Sequence, residues 1–241
     1  MKRDCCPICL CPDTRKPRLD LEPHPYFECT ACGFYYQKEL IAKVYEASHE
    51  VSGNLMSEAD RQVNNQLARF LFDRVGMEHP RALDIGSKYP WLSHCLAQLG
   101  TSSYAIDGIP EILKFVAEER LNVNAYQCDF ETTAPDRFPW GDLQFDLITL
   151  VHVAEHFYFP LKSLWNIREL LTPTGTLFIR CPDNETPGIE RDFQPGYFEI
   201  HPQIWNLKSF QVACGKVGLS IQETYTFCGQ RDLILTKSDN Y

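Results

Sequence analysis

Residues 145–182 read "FDLITLVHVAEHFYFPLKSLWNIRELLTPTGTLFIRCP". The first seven, Phe145–Val151, are almost wholly apolar and too few for an ordinary helix, so they predict a strand buried on both faces. "LKSLWNIRELL" (161–171) then repeats apolar residues at three- and four-residue spacing, the pattern of an amphipathic helix. "GTLFIRCP" (175–182) returns to a short apolar run, a second strand. Strand, helix and strand in that order form a βαβ unit, which sets two parallel strands in one sheet with the helix lying on its face.

The alternation extends in both directions. Upstream, "RALDIG" (81–86), "SYAID" (103–107) and "NAYQCD" (124–129) predict strands. Between them, "WLSHCLAQLG" (91–100) closes on Gly100 and "PEILKFVAEER" (110–120) opens on Pro110, as helices do. Downstream, "NLKSFQVACGKVG" (206–218) predicts a helix, and "SIQETYTF" (220–227) with "RDLILTK" (231–237) an antiparallel pair. Residues 54–76 predict one more helix, with Leu67, Phe70, Leu71 and Val75 on its apolar face and Gly76 as its stop. The whole predicts an α/β chain with a doubly wound, mostly parallel sheet, whose ligands sit beyond the carboxyl ends of the strands.

The first 45 residues differ in kind. They are rich in Cys and Pro, with Cys6-x2-Cys9, nineteen intervening residues, then Cys29-x2-Cys32. Two such knuckles predict a zinc ribbon with Cys6, Cys9, Cys29 and Cys32 as ligands, and Gly33 suits the positive φ such a turn needs. Cys5 and Cys11 are spare, and either is an alternative to Cys6 or Cys9. Four thiolates leave no open position, so this zinc is structural, and in so short a segment it supplies much of the folding free energy. The resulting plan is a ribbon over 1–45, a linker and helix over 46–78, and the sheet domain over 79–241.

Composition narrows the function. Net charge is −9 over 241 residues, which disfavours nucleic acid, and "RKPR" (15–18) is the one short basic run. No stretch approaches the length of a membrane span, and "MKRDCCPIC" lacks the apolar core of a signal peptide. A cytoplasmic protein with reduced cysteines is expected.

Acidic residues close three successive strands: Asp84, Asp107 and Asp129, at separations of 23 and 22 residues. Gly86 lets the backbone turn sharply after the first. Asp107 stands where a carboxylate accepts from both hydroxyls of a ribose, and Asp129 within reach of an adenine amino group.

Here the chain resembles a known family. "ALDIGSKYPWL", "YAIDGIPEIL", "YQCDFE" and the 145–182 run together look like class I S-adenosylmethionine-dependent methyltransferases, over about residues 65–240. The nearest group contains the ubiquinone-pathway O-methyltransferases and many natural-product and sugar enzymes. The resemblance implies a seven-stranded sheet of order 3-2-1-4-5-7-6 with an antiparallel final strand. It also implies that Asp84 and Gly86 bound the methionine part of S-adenosylmethionine, with Asp107 on the ribose and Asp129 on the adenine. The family's D-x-G-x-G-x-G loop reads Asp84-Ile85-Gly86-Ser87-Lys88-Tyr89-Pro90 here, so Lys88 and Pro90 replace two glycines. Lys88 either folds outward or meets the cofactor's carboxylate. Zinc-ribbon-bearing sugar C-methyltransferases begin with a similar cysteine module but usually carry a further C-terminal domain.

"HVAEH" (152–156) matches the H-x-x-E-H of inverted zinc peptidases, but those carry it on a helix and here it follows a strand. Ubiquinone-pathway relatives have E-x-x-E-H at this place, where it can hold a divalent ion. Three uses therefore stand side by side. His152, Glu155 and His156 hold a second divalent metal; or Glu155 orients a neighbour while His156 takes a proton from the acceptor; or the residues only cap a turn. The long segment before the last helix, "DNETPGIERDFQPGYFEIHPQIWN" (183–206), is expected to close over the substrate through Tyr197, Phe198, His201 and Trp205, with His201 a second candidate base. The expected function is methyl transfer from S-adenosylmethionine to a small molecule. A degenerate fold docking a protein partner through its ribbon, and an RNA methyltransferase, are the alternatives. Neither acceptor nor oligomeric state is written in these residues.

Overall fold

The computed structural model describes residues 2–15, 25–40, 57–182, 201–227 and 230–238. In chain order its elements begin with three short strands, β1 (Thr14–Arg15), β2 (Tyr26–Cys29) and β3 (Tyr35–Gln37). Helix α1 (Glu58–Val75) follows, then β4 (Arg81–Ile85), α2 (Trp91–Gln98), β5 (Ser102–Asp107), α3 (Glu111–Glu118), β6 (Asn124–Gln127) and β7 (Phe145–Val151). The chain continues through α4 (Pro160–Leu170), β8 (Leu171–Cys181), β9 (Gln203–Ile204), α5 (Leu207–Val217), β10 (Leu219–Phe227) and β11 (Gln230–Lys237).

The large sheet runs β10-β11-β8-β7-β4-β5-β6. Numbered by appearance among these seven, that is the expected order 3-2-1-4-5-7-6 read from the opposite edge. Strand β4 pairs in parallel with β5 and with β7, and β5 with β6, while β10 and β11 pair antiparallel. The burial of β7 along nearly its whole length explains its almost wholly apolar sequence. Gly175 is required by close approach: a Cβ there would lie 2.8 Å from the Phe145 carbonyl oxygen. β8 starts directly after α4, four residues earlier than the sequence pattern indicates.

Helix α1 is capped at both ends by residues suited to the task. The Ser57 hydroxyl accepts from Asp60 N, the Asp60 carboxylate accepts from Ser57 N, and Gly76 closes the helix at φ 65°. It buries Leu67, Ala68 and Leu71 but leaves Phe70 42% exposed. At 100° per residue Phe70 lies about 60° outside the arc those three define. Among the described residues, no helix is long and apolar enough to cross a membrane.

Two compact units emerge. The first comprises Met1–Lys43, Val151–Arg168 and Phe178–Tyr241, the second Val44–Leu150 and Glu169–Leu177. The first contains a small sheet of order β1-β2-β3-β9. Its fourth strand comes from far along the chain, with Tyr35 opposite Ile204 and Tyr36 opposite Gln203.

Candidate active site

In the second unit the ends of β4, β5 and β6 carry the predicted acids. Gly86, at φ 69°, turns the chain so that Gly86 N and Ser87 N both donate to Ile106 O, at 2.8 and 3.1 Å. Lys88 then adopts φ 45°, and its amide donates to Asp107 Oδ2 at 2.7 Å, while Ile109 N donates to Oδ1 at 3.1 Å. The lysine thus takes by strain the backbone conformation glycine adopts freely. Its exposed side chain lies along Tyr89, with Nζ 5.4 Å from the ring centroid. Pro90, at φ −76°, caps α2. Burial pushes the Asp107 carboxyl above its ordinary value, against the pull of the amides donating to it.

Asp84 faces the other way. Its carboxylate is buried, accepting from Thr149 Oγ1 at 2.6 Å and Ser93 Oγ at 3.1 Å. Burial pushes its pKa up to about 6, and the two hydroxyls only partly offset this. Asp129 accepts from Glu131 N at 3.0 Å through one oxygen. With Gly108, Gln127, Cys128, Thr133 and Arg137 it lines a cavity of ≈ 750 Å³. That volume suits a small ligand or cofactor.

In the first unit "HVAEH" forms no α-helix. His152 takes φ 58° and its amide donates to Arg180 O at 2.8 Å, and Ala154–His156 make a single 3-10 turn. Glu155 is 2% exposed. His152 Nδ1 lies 3.4 Å from its Oε1, and neither carboxylate oxygen receives a hydrogen bond of ordinary geometry among the described residues. Burial alone would raise the Glu155 carboxyl, but the neighbouring imidazoles, His152 first, outweigh burial and hold it low. The His201 and His156 rings lie 4.6 Å apart. Among the described residues the ligand atoms of Glu155, His156 and His201 all lie within 4.8 Å of one another. His201, 45 residues from His156, therefore stands where the sequence pattern suggested His152. Burial first, and then His156, push the His201 pKa down to about 4, so its ring is neutral at neutral pH. Trp205 is fully buried, and its indole N–H and the Gln203 side-chain amide both donate to Ala154 O, at 3.1 and 2.9 Å. Tyr197 and Phe198 lie outside the described residues. No local signal in the sequence marks Gln203 and Trp205 as supports of the turn before Glu155.

The cysteine knuckles converge. Cys6 Sγ is 3.7 Å from Cys32 Sγ, Cys9 Sγ is 3.3 Å from Cys29 Sγ, and all four sulfurs lie within 4.8 Å of one another. A tetrahedral zinc with four thiolates needs sulfurs about 3.8 Å apart, so the four residues fit the ion. Cys11 stands aside, its thiol directed at Asp13 O. The two knuckles repeat one design: Leu10 N donates to Cys6 O and Gly33 N to Cys29 O, at 2.9 and 2.8 Å. Both residues have positive φ, 65° for Leu10 and 70° for Gly33.

Known proteins share this framework. A family model described as "Methyltransferase domain" matches residues 56–224. The ubiquinone biosynthesis O-methyltransferase of Xanthomonas campestris pv. campestris (strain B100) is 33% identical over 115 residues, 47% of each chain. The chain spans about half the length of the curated relatives it matches. Among solved structures, magnesium protoporphyrin IX methyltransferase from Synechocystis PCC 6803 with bound SAH superposes with a TM-score of 0.58 at 16% identity, covering 74% of this chain and 83% of that one. Mitomycin 7-O-methyltransferase superposes with a TM-score of 0.59 at 16% identity, covering 75% and 54%. At these identities the structural likeness speaks for the fold.

Proposed function

The chain belongs to the methyltransferase domain family, and from that premise we propose that it moves the methyl group of S-adenosylmethionine to a small-molecule acceptor. The observation that carries this reading is Asp107. Its carboxylate is fixed by the Lys88 and Ile109 amides immediately beyond the Gly86 turn, at the carboxyl end of a parallel strand. In this reading Asp107 accepts from the ribose hydroxyls, and the cavity beside Asp129 receives the adenine. Gly86 allows close approach of the methionine moiety, and Asp84 supports that turn from the core through Ser93 and Thr149.

Bound there, the cofactor supplies a methyl group already activated by its sulfonium. What remains for the protein is to align the acceptor, exclude water and manage one proton. The neutral His201 imidazole accepts a hydrogen bond from the acceptor, while Glu155 orients His152 through their ion pair. A base of pKa about 4 does not hold a full proton from a phenol-like hydroxyl, since a pKa gap of roughly 6 costs roughly 8 kcal/mol. His201 therefore serves to position the acceptor, and His156 is the candidate base.

One observation favours a second use of the same residues. A buried carboxylate without ordinary hydrogen bonds, beside two imidazoles, is a donor set for a divalent cation such as Zn2+ or Mn2+. Glu155, His156 and His201 would hold such an ion, which would supply Lewis-acid activation of the acceptor. The four cysteines are assigned to a separate structural zinc.

Calorimetric titration of S-adenosylmethionine into metal-quantified protein tests the proposal, with Asp107→Ala as control. Micromolar binding that the variant loses supports it. No binding in folded protein carrying one zinc would sink it and favour a partner-docking role for the ribbon.

A further inference from the structure

The first unit contains an unbroken chain of contacts from the cysteine cluster to the acceptor-side residues. Gly33, next to Cys32, accepts at its carbonyl from the Asn206 side chain at 2.8 Å. Asn206 also caps α5, its Oδ1 accepting from Ser209 N. Phe34 packs edge-on against Trp205 with ring centroids 4.8 Å apart. Strand β3 pairs with β9, and Gln37 N donates to Pro202 O at 3.0 Å. The Tyr26 hydroxyl donates to the His201 carbonyl, in the same strand that ends at Cys29. On the far side, Gln203 and Trp205 donate to Ala154 O, the residue before Glu155.

Every residue from His201 to Asn206 is thus tied to the ribbon, to Ala154, or to both, and all six are buried. Strand β9 itself is only two residues long. Such a strand has little stability of its own, so its position is dictated by what it pairs with. Strands β2 and β3, of four and three residues, are also short, and a metal on the four cysteines would join their knuckle to the other one.

Resting on the reading of His201 and Glu155 as acceptor-side residues, we infer that Tyr26, Asn206 and Trp205 are positioning residues through which the ribbon's metal sets the geometry of the Glu155–His156–His201 cluster. The ribbon is a part of the acceptor site in this assignment, and loss of its metal releases β9 from one side. His201 and the Ala154–His156 turn then lose their fixed separation. The cofactor residues Asp84, Asp107 and Asp129 belong to the second unit and make none of these contacts, so cofactor binding does not depend on this metal.

The test uses the whole chain, zinc-loaded and isotopically labelled. The exchange protection of the Trp205 indole N–H and the imidazole nitrogen shifts of His201 are read by NMR, with the Trp140 indole N–H as internal control. Removing the metal with a chelator should lower Trp205 protection at least tenfold and move the His201 resonances. Trp140 protection and S-adenosylmethionine affinity should stay within twofold. Tyr26→Phe, which leaves all four cysteines in place, should keep one zinc per chain and full cofactor affinity yet still shift the His201 resonances. Asn206→Ser, which retains a capping residue for α5, should lower Trp205 protection several-fold. Unchanged Trp205 and His201 signals on metal removal or in Tyr26→Phe would overturn the inference. So would loss of cofactor affinity together with the metal, because the zinc would then hold the entire fold. Absence of cofactor binding in the zinc-loaded wild type is a separate result: it sinks the functional reading while the Trp205 and His201 signals still decide the coupling.

Discussion

Asp84→Asn isolates the cost of holding a carboxylate in the core of the second unit. The wild-type group titrates at about 6 in the folded protein, against an ordinary 3.8, chiefly because burial disfavours its charge, with Asp107 adding to the push. Between those two values the folded state retains a proton that the unfolded chain gives up. Stability contributed by this group therefore falls as pH rises from about 4 to about 6, and the whole penalty is present above that. Raising a carboxyl from 3.8 to about 6 corresponds to about 3 kcal/mol. Asparagine does not ionise, so the variant lacks the penalty, at the expense of the charge-assisted bonds from Thr149 and Ser93, worth about 1 kcal/mol more than their neutral counterparts. Urea unfolding of both proteins between pH 4 and pH 8 measures the effect as a difference. The difference matters because His201, depressed to about 4, contributes with the opposite sign, its stability rising with pH over the same range. Asp84→Asn should gain about 2 kcal/mol on the wild type between pH 4 and pH 7, because at pH 4 the unfolded carboxyl is already more than half ionised. Parallel curves, or a wild type that gains on the variant as pH rises, would refute the assignment of a buried, proton-linked Asp84.

Further substitutions probe the backbone. Gly33→Ala puts a Cβ 2.8 Å from Asn206 Nδ2 at φ 70°, so about 1–3 kcal/mol of stability should be lost in urea melts, together with zinc affinity in a competitive chelator titration. Leu10→Gly at the matching position of the other knuckle should do the reverse, gaining up to about 1 kcal/mol as the left-handed strain is relieved. Lys88→Gly should also gain up to about 1 kcal/mol, and because the lysine side chain lies exposed along Tyr89, S-adenosylmethionine affinity by calorimetry should stay within twofold; a tenfold loss would mean that the ammonium meets the cofactor. Gly175→Ala drives a Cβ against the Phe145 carbonyl, a backbone atom that cannot swing aside, so it should cost about 1–3 kcal/mol in urea melts, and a stability unchanged within error would refute the close approach.

Much of the architecture is local and therefore legible in the residues themselves. A run as apolar as Phe145–Val151, broken only by Asp146 and Thr149, buries both faces as a strand, and the alternation of runs like it with 3.6-period helices fixes a parallel sheet. The cysteine knuckles are equally local, since two residues between ligands suffice to turn both thiolates to one ion. Leu10 shows where such reading stopped: its place in the first knuckle matches Gly33 in the second, but only the structure shows its positive φ, which leucine rarely adopts. Tertiary structure decided the remainder. Nothing within a few residues of His201 says that it meets His156 across 45 residues, or that Gln203 and Ile204 complete the ribbon's sheet. Nor does the "LDIG" pattern say that the Asp84 carboxylate turns inward to Thr149, 65 residues away. Periodicity encodes which face of an element is buried, because burial acts residue by residue along one strand or helix. Which buried polar groups meet one another depends on how the chain returns to the same point, and that is set by the packing of the whole.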